Sequence, residues 1–181
     1  MFEFNYALTE KDLFDFSVFN YFYSPLYKRD IYLRKILVPA LFALLSLFYL
    51  YTYKFNFLIA APYVAFFVFA SVLYLVLFRR ISIFNIKRSV KRVKKFNNDL
   101  YDDNQIIKFL DYDIVLQSDT SEGKLKYSNV KNVVVTKNAV YLYIDTNKAF
   151  ILPQRFFENP DNQDKFLDFL KEKINLNVTF A

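Results

Sequence analysis

Hydrophobic and polar positions along this chain follow three different periods. Near the start, Phe2, Phe4 and Tyr6 alternate with Glu3 and Asn5, which predicts a short strand. Thr9-Glu10-Lys11-Asp12 then reads as a capping box with Asp in place of Glu, opening a helix. Leu13, Phe16, Val18, Phe19, Tyr21, Phe22 and Tyr23 give that helix a broad aromatic surface, and Ser24-Pro25 ends it. Its charged start makes it a helix that lies at an interface or packs on another domain, rather than one that spans a membrane. Two uninterrupted apolar runs follow, residues 36–53 and 57–78, without a single Asp, Glu, Lys or Arg. As helices they would reach roughly 27 Å and 33 Å, against a hydrocarbon core of about 30 Å. A buried pair of core helices is the other reading. It would need a large soluble shell, and too few residues remain to build one.

Only Lys54-Phe55-Asn56 separates the two runs, so the helices must be antiparallel. Tyr49, Tyr51 and Tyr53 cluster at that turn, as in an aromatic interface belt. Pro39 is expected in the first turn of the first run, where a missing N–H costs little, and Pro62 about one turn into the second. Charge then orients the pair. Lys28, Arg29, Arg34 and Lys35 precede it, Arg79, Arg80 and a longer basic run follow it, and the turn holds Lys54 alone. The positive-inside rule places both termini in the cytoplasm. The first 35 residues are charged and show no early apolar run, so no cleaved signal is expected.

Residues 79–96 keep a helical period. Ile83, Ile86, Val90 and Val93 share one face, while Lys87, Arg88, Lys91, Arg92, Lys94 and Lys95 share the other. These six are candidate contacts for anionic lipid headgroups. The plainer reading is that they only set topology while Ile and Val pack on the domain; the two readings are compatible. Nucleic acid is an unfavoured partner, because the block sits where a membrane would dominate and no nucleic-acid-binding motif accompanies it.

Residues 97–104 are polar and acidic (Asp99, Asp102, Asp103) and mark a boundary. Beyond it the period becomes two, predicting strands at 105–110, 113–118, 123–127, 130–136, 140–145 and 149–152, joined by short turns. Asn159-Pro160 then opens a helix with Asn as N-cap and Pro in the first turn, its stripe formed by Phe166, Phe169, Leu170 and Ile174. The expected fold is an α+β membrane protein. It has a two-helix transmembrane hairpin and a cytoplasmic antiparallel sheet or partly open barrel capped by a C-terminal helix. Pleckstrin-homology-like domains share this order, usually with seven strands. The parts are residues 1–35, 36–78, 79–96 and 97–181.

Composition narrows the chemistry. The chain of 181 residues is 55% hydrophobic, above the 45–50% usual for soluble domains, and carries a net charge of +6. It has no Cys and no His, which removes disulfides, thiolate metal sites, Cys nucleophiles and the commonest general base. With one Gly there is no phosphate-cradling loop. Asp111 and Asp113 flank an expected hairpin turn, where Asp serves the backbone; as a metal or acid/base pair they are the weaker reading. The apolar runs hold no ionisable groups beyond tyrosines, which argues against a transport path. No catalytic residue, metal or cofactor is expected. Lys137, in a turn, and Arg155, before Phe156-Phe157, are candidate contacts for a partner's carboxylate or a lipid phosphate.

Several segments resemble the YcxB-like family of bacterial membrane proteins. They are Tyr6-Ala7-Leu8-Thr9-Glu10, Ser24-Pro25-Leu26-Tyr27-Lys28-Arg29, Tyr127-Ser128-Asn129-Val130, Thr136-Lys137, Val140-Tyr141-Leu142-Tyr143-Ile144 and Ile151-Leu152-Pro153-Gln154-Arg155-Phe156. Tyr127 stands where members often have Trp, Gln154 where they often have Lys, and residues 175–181 run past the helix. The resemblance implies two membrane helices and a cytoplasmic C-terminal domain, with no established activity and no catalytic residues. The expected function is therefore a membrane-anchored interaction module at the inner membrane face, binding protein or lipid headgroups. A structural self-assembling protein (a homo-oligomer) and an enzyme built on the acidic residues are the alternatives.

Overall fold

A computed structural model of the chain describes residues 1–96, 105–118, 121–174 and 178–180. The expected boundary at 97–104, with its three Asp residues, and part of the turn before Glu122 lie outside them. Within them the chain divides into two compact units, one made of Met1–Ser17 and Ser89–Ala181, the other of Val18–Arg88.

The first unit is built on two sheets and is discontinuous in sequence. Strand β1 (Phe2–Asn5) pairs antiparallel with β2 (Ile106–Phe109), Phe2 opposite Phe109 and Asn5 opposite Ile106. Strands β3 (Asp113–Gln117) and β4 (Glu122–Lys126) complete the order β1-β2-β3-β4. The second sheet runs β7-β6-β5-β8: β5 (Asn132–Val135), β6 (Ala139–Tyr143) and β7 (Ala149–Pro153) are antiparallel, and β8 (Val178–Phe180) lies parallel to β5. The six expected strands are present, but they do not form one meander. A 3-10 turn at Tyr127–Asn129 carries the chain from one sheet to the other, and the Tyr127 hydroxyl donates to the Leu110 carbonyl at 2.8 Å, fixing that break. The sequence reading lacked the partner of β2, which is β1, and β8. Among the described residues no closed barrel forms.

Helix α4 (Pro160–Lys173) starts where the sequence predicts. The Asn159 side chain accepts from the Asn162 N–H at 2.9 Å, satisfying one orphan donor, and Pro160 takes the first turn. Phe166, fully buried, is the hub of the unit's aromatic core. Its ring meets Phe109 at 4.8 Å, Phe2 at 5.2 Å, and Phe4 and Phe157 at 5.5 Å. Edge-to-face geometry in most of these pairs suits the ring quadrupoles.

Helix α1 (Glu10–Tyr23) belongs to the first unit at its start. The reciprocal cap forms as expected: Thr9 N–H donates to Asp12 Oδ2 at 2.7 Å, and Asp12 N–H to Thr9 Oγ1 at 3.3 Å. Phe16 packs on Tyr141 at 5.2 Å, so this part of the helix lies on the sheet unit, one of its two expected positions.

The second unit is a helical hairpin. Helix α2 (Pro25–Thr52) begins well before the apolar run, because Ser24-Pro25 starts it as well as ending α1. Asp30 and Arg34 form an i,i+4 pair at 2.9 Å in its charged first turns. Pro39 therefore lies inside the helix and not in its first turn. Helix α3 (Phe57–Phe96) is continuous, so residues 79–96 are its extension rather than a separate element. The turn has Lys54 and Phe55 both left-handed, at φ 51° and 58°, a costly conformation for residues with a Cβ. It is held by Phe55 N–H donating to the Leu50 carbonyl at 2.8 Å. Tyr49 stacks on Tyr63 at 4.8 Å and Phe42 on Phe67 at 6.1 Å, which zips the helices together. Ser46 and Ser71 return their hydroxyls to carbonyls of their own helices. Both helices are long and apolar enough to cross a membrane, and their apolar residues are largely exposed.

Candidate functional site

The candidate residues divide among three places. On α3, Lys87, Arg88, Lys91, Arg92 and Lys95 are exposed, none pairs with a described carboxylate, and the helix from 79 to 96 contains no acid. The side chain of Lys94 is outside the described residues. Arg88 lies over the Phe84 ring at 4.4 Å, a cation–π contact that leaves its charge available. On the opposite face Val90 is buried and Ile83 and Ile86 are half-buried, but Val93 is exposed, so the apolar stripe ends one turn early.

Lys137 occupies the two-residue turn between β5 and β6. Thr136 closes this turn: its N–H and hydroxyl both donate to the Ala139 carbonyl, at 2.9 and 2.8 Å. Gln154 N–H donates to the Asn138 carbonyl at 2.8 Å, continuing the β6–β7 ladder onto the turn. The Lys137 side chain projects from this rigid turn and is exposed.

Arg155 is tied within its own unit. It sits in the 3-10 turn Gln154–Phe156 after β7, and its guanidinium is engaged within the unit. Nη1 and Nη2 meet Asp12 Oδ1 and Oδ2 at 2.6 Å each, and Nη2 also donates to the Ala7 carbonyl at 2.8 Å. A bidentate fork of this kind fixes both position and angle. Arg155 thus clamps the N-terminal segment to the sheet, with part of its side chain still exposed. Burial alone would raise the Asp12 carboxyl. The hydrogen bonds from Arg155 and Thr9 outweigh burial and hold it below the usual carboxylate range.

A second tie was not foreseen. The Tyr6 hydroxyl is buried and accepts from the Ile151 N–H of β7 at 3.1 Å. Burial pushes this phenol up to about 12, against the opposing pull of that N–H. Tyr6 and Asp12 fall within or just after the first segment of family-like sequence, but no local pattern connects them to residues 151 and 155.

Asp111 is exposed and faces Lys173 at 3.4 Å, while Asp113 pairs in register with Lys126. Leu110 N–H donates to the Asp113 carbonyl at 3.0 Å, closing the turn between them. Burial raises the Tyr127 phenol, and Asp111 and Asp113 add to the shift. Among the described residues no three Asp or Glu side chains converge as a cation site would require.

No curated protein and no solved structure matches the chain. The family described as YcxB-like protein matches over residues 109–170, from the end of β2 through most of α4. That stretch contains the Tyr127, Thr136-Lys137, Val140–Ile144 and Ile151–Phe156 segments, so the resemblance read from the sequence is upheld over residues 109–170, where the chain is similar to that family.

Proposed function

We propose that this chain is a membrane-anchored, non-enzymatic interaction module. Helices α2 and α3 cross the bacterial inner membrane as a hairpin, and both termini lie in the cytoplasm. The sheet unit is pleckstrin-homology-like in its order of four strands, three strands and a helix, and it offers a binding surface for a protein partner at the inner face. The observation that carries this reading is the β1–β2 ladder. Residues 2–5 pair with residues 106–109, so the chain must leave and return on one side of any membrane it crosses. Two spans satisfy that requirement and one does not.

Three further observations support it. Large apolar side chains on both helices are exposed, Leu58 at 91% and Val76 at 71%, a condition tolerated in lipid and costly in water. Basic residues flank the hairpin at its two open ends, while Lys54 stands alone at the turn. Helix α3 is about 60 Å long, twice the hydrocarbon thickness, so its basic third would emerge at the headgroups. There each Lys or Arg contributes about 1 kcal/mol toward an anionic leaflet.

The chain has no Cys, which makes topology directly measurable. Single Lys54→Cys and Lys137→Cys variants are treated with a membrane-impermeant maleimide. Lys54→Cys labels from outside the intact cell, and Lys137→Cys labels only after permeabilisation. The reverse pattern, or release of the protein by alkaline carbonate, overturns the anchor. A crosslinked pull-down from native membrane then recovers a stoichiometric protein; recovery of only the chain itself and anionic lipid moves the reading to self-assembly.

A further inference from the structure

Three side-chain pairs fix how α2 and α3 are aligned. Tyr49 lies against Tyr63, Phe42 against Phe67 and, at the open end of the hairpin, Lys35 against Phe78, with Lys35 Nζ 5.3 Å from the centre of the ring. The Tyr74 hydroxyl donates to the Arg34 carbonyl at 3.2 Å and locks that end. Lys35 immediately precedes the first apolar run, and Arg79 immediately follows the second. The alignment therefore brings two cations from different helices to one depth, beside the buried Phe78.

Both cations rest on rings and not on carboxylates. The Arg79 guanidinium lies 5.7 Å from the centre of the Phe22 ring of α1. A ring face orients a cation without neutralising it. Asp30 is the one acid among residues 25–35, and Arg34 engages it at 2.9 Å; residues 79–96 contain none. Among the described residues neither Lys35 nor Arg79 forms an ion pair, and both are exposed. Two uncompensated cations at one level call for an anion, and the depth decides which. Where the hydrocarbon of a bilayer ends, the nearest anions are the phosphates of lipid headgroups. One turn before Arg79, on its face of the helix, Leu75 and Val76 are 47% and 71% exposed, which gives acyl chains a surface directly beneath it. A zwitterionic lipid would also bring an ammonium, and residues 25–35 and 79–96 hold no unengaged carboxylate to receive it.

We propose that Lys35 and Arg79 form a site for a single anionic phospholipid, both cations engaging its phosphodiester while the Phe78 and Phe22 rings hold them in place. Arg supplies a planar fork for two phosphate oxygens, and Lys a compact point charge. The exposed basic face farther along α3 is attracted to any negative surface; this site selects a headgroup. The proposal deepens the anchor reading and rests on it.

The test uses the full chain in detergent, stripped of lipid and followed by native mass spectrometry. The probes are phosphatidylglycerol and phosphatidylethanolamine with matched acyl chains, and glycerol phosphate as the free headgroup. The expected result is saturable uptake of one phosphatidylglycerol per chain, with phosphatidylethanolamine clearly weaker and no displacement by glycerol phosphate. Lys35→Gln and Arg79→Gln should each weaken phosphatidylglycerol about fivefold, the worth of one basic residue at a headgroup. Lys165→Gln, which removes the same charge from an exposed position on α4, should leave it unchanged. Equal binding of the two lipids, displacement by glycerol phosphate, or a loss with Lys91→Gln as large as with Lys35→Gln overturns the proposal. Photoactivatable phosphatidylglycerol on the natural chain covers a variant that does not fold. Its crosslinks should fall within one turn of Lys35 and Arg79, and crosslinks spread along residues 87–95 overturn the site. Maleimide labelling that remains as stated above, with no selective lipid uptake, refutes the site and leaves the anchor standing; reversed labelling removes the anchor whatever the lipid result.

Discussion

At the scale of single residues, the N-terminal segment is locked to the sheet unit by polar contacts whose strength depends on pH. Asp12 receives two N–H groups from Arg155, plus the N–H and hydroxyl of Thr9. Its folded-state carboxyl is held below its ordinary value, so its contribution is fully present above the unfolded pKa of about 3.9. It is lost as pH falls through the still lower folded value. Thermal melting of the unit in detergent, followed from pH 6 down to pH 3, should therefore drop more steeply for the natural chain than for Asp12→Asn. Parallel curves would show that the fork carries no linkage. Arg155→Ala should cost about 1.5–3 kcal/mol at neutral pH, the range for hydrogen bonds to a charged group. Tyr6 behaves in the opposite sense, because its folded phenol is raised to about 12. Its contribution is complete below about pH 10 and fades as pH rises toward 12, so it leaves the acid limb untouched.

At the scale of elements, what the sequence disclosed and what it concealed separate by distance along the chain. The two apolar runs, the Thr9–Asp12 cap and the Asn159-Pro160 helix start are local patterns, and each is found where expected. The β5–β6 turn at Lys137-Asn138 and the six strands were legible for the same reason. The start of α2 at Pro25 was missed because charged residues around Arg29 and Arg34 look like a flank, although helices accept charge on an exposed turn. The pairing of β1 with β2, the parallel seat of β8 and the two ties to Ile151 and Arg155 are invisible to periodicity. Their partners lie some hundred residues apart or across a helix. Of the candidate site, the basic face of α3 could be read from spacing, but the role of Arg155 could not. The strand-and-cap segment follows as an element with a measurable worth. Tyr6 and Leu8 are buried and Phe2 and Phe4 pack on Phe166. At about 1.5–3 kcal/mol for each large apolar side chain, their sum is comparable to the whole stability of a domain, about 5–15 kcal/mol. A chain starting at Val18 should thus keep its helical hairpin yet lose the protease-resistant sheet unit. A resistant fragment covering residues 121–174 in that variant would show that the first seventeen residues are dispensable.

At the scale of the whole molecule, the sheet unit is interrupted in sequence by the hairpin, and this converts topology into a folding condition. The chain leaves the sheet unit after Ser17 and re-enters it at Ser89. If the intervening segment spans a lipid bilayer, β1 and β2 meet only when the number of spans between them is even. The condition is independent of flanking charge, of the particular residues in the hairpin and of any ligand. It can be tested by changing parity alone. Insertion of one 20-residue Leu/Ala helix between residues 96 and 105 adds about 30 Å of apolar helix, enough for one more span. It should place β1 and β2 on opposite faces and abolish the protease-resistant unit, although every residue of that unit is unchanged. Insertion of two such helices joined by a short polar turn restores even parity and should restore the resistant unit. A merely disruptive insertion would be worse when doubled, so recovery with two helices separates topology from damage. Resistance retained with one inserted helix that is itself shown to span, by labelling on either side of it, would mean that residues 36–78 cross an odd number of times, and the hairpin reading would fall.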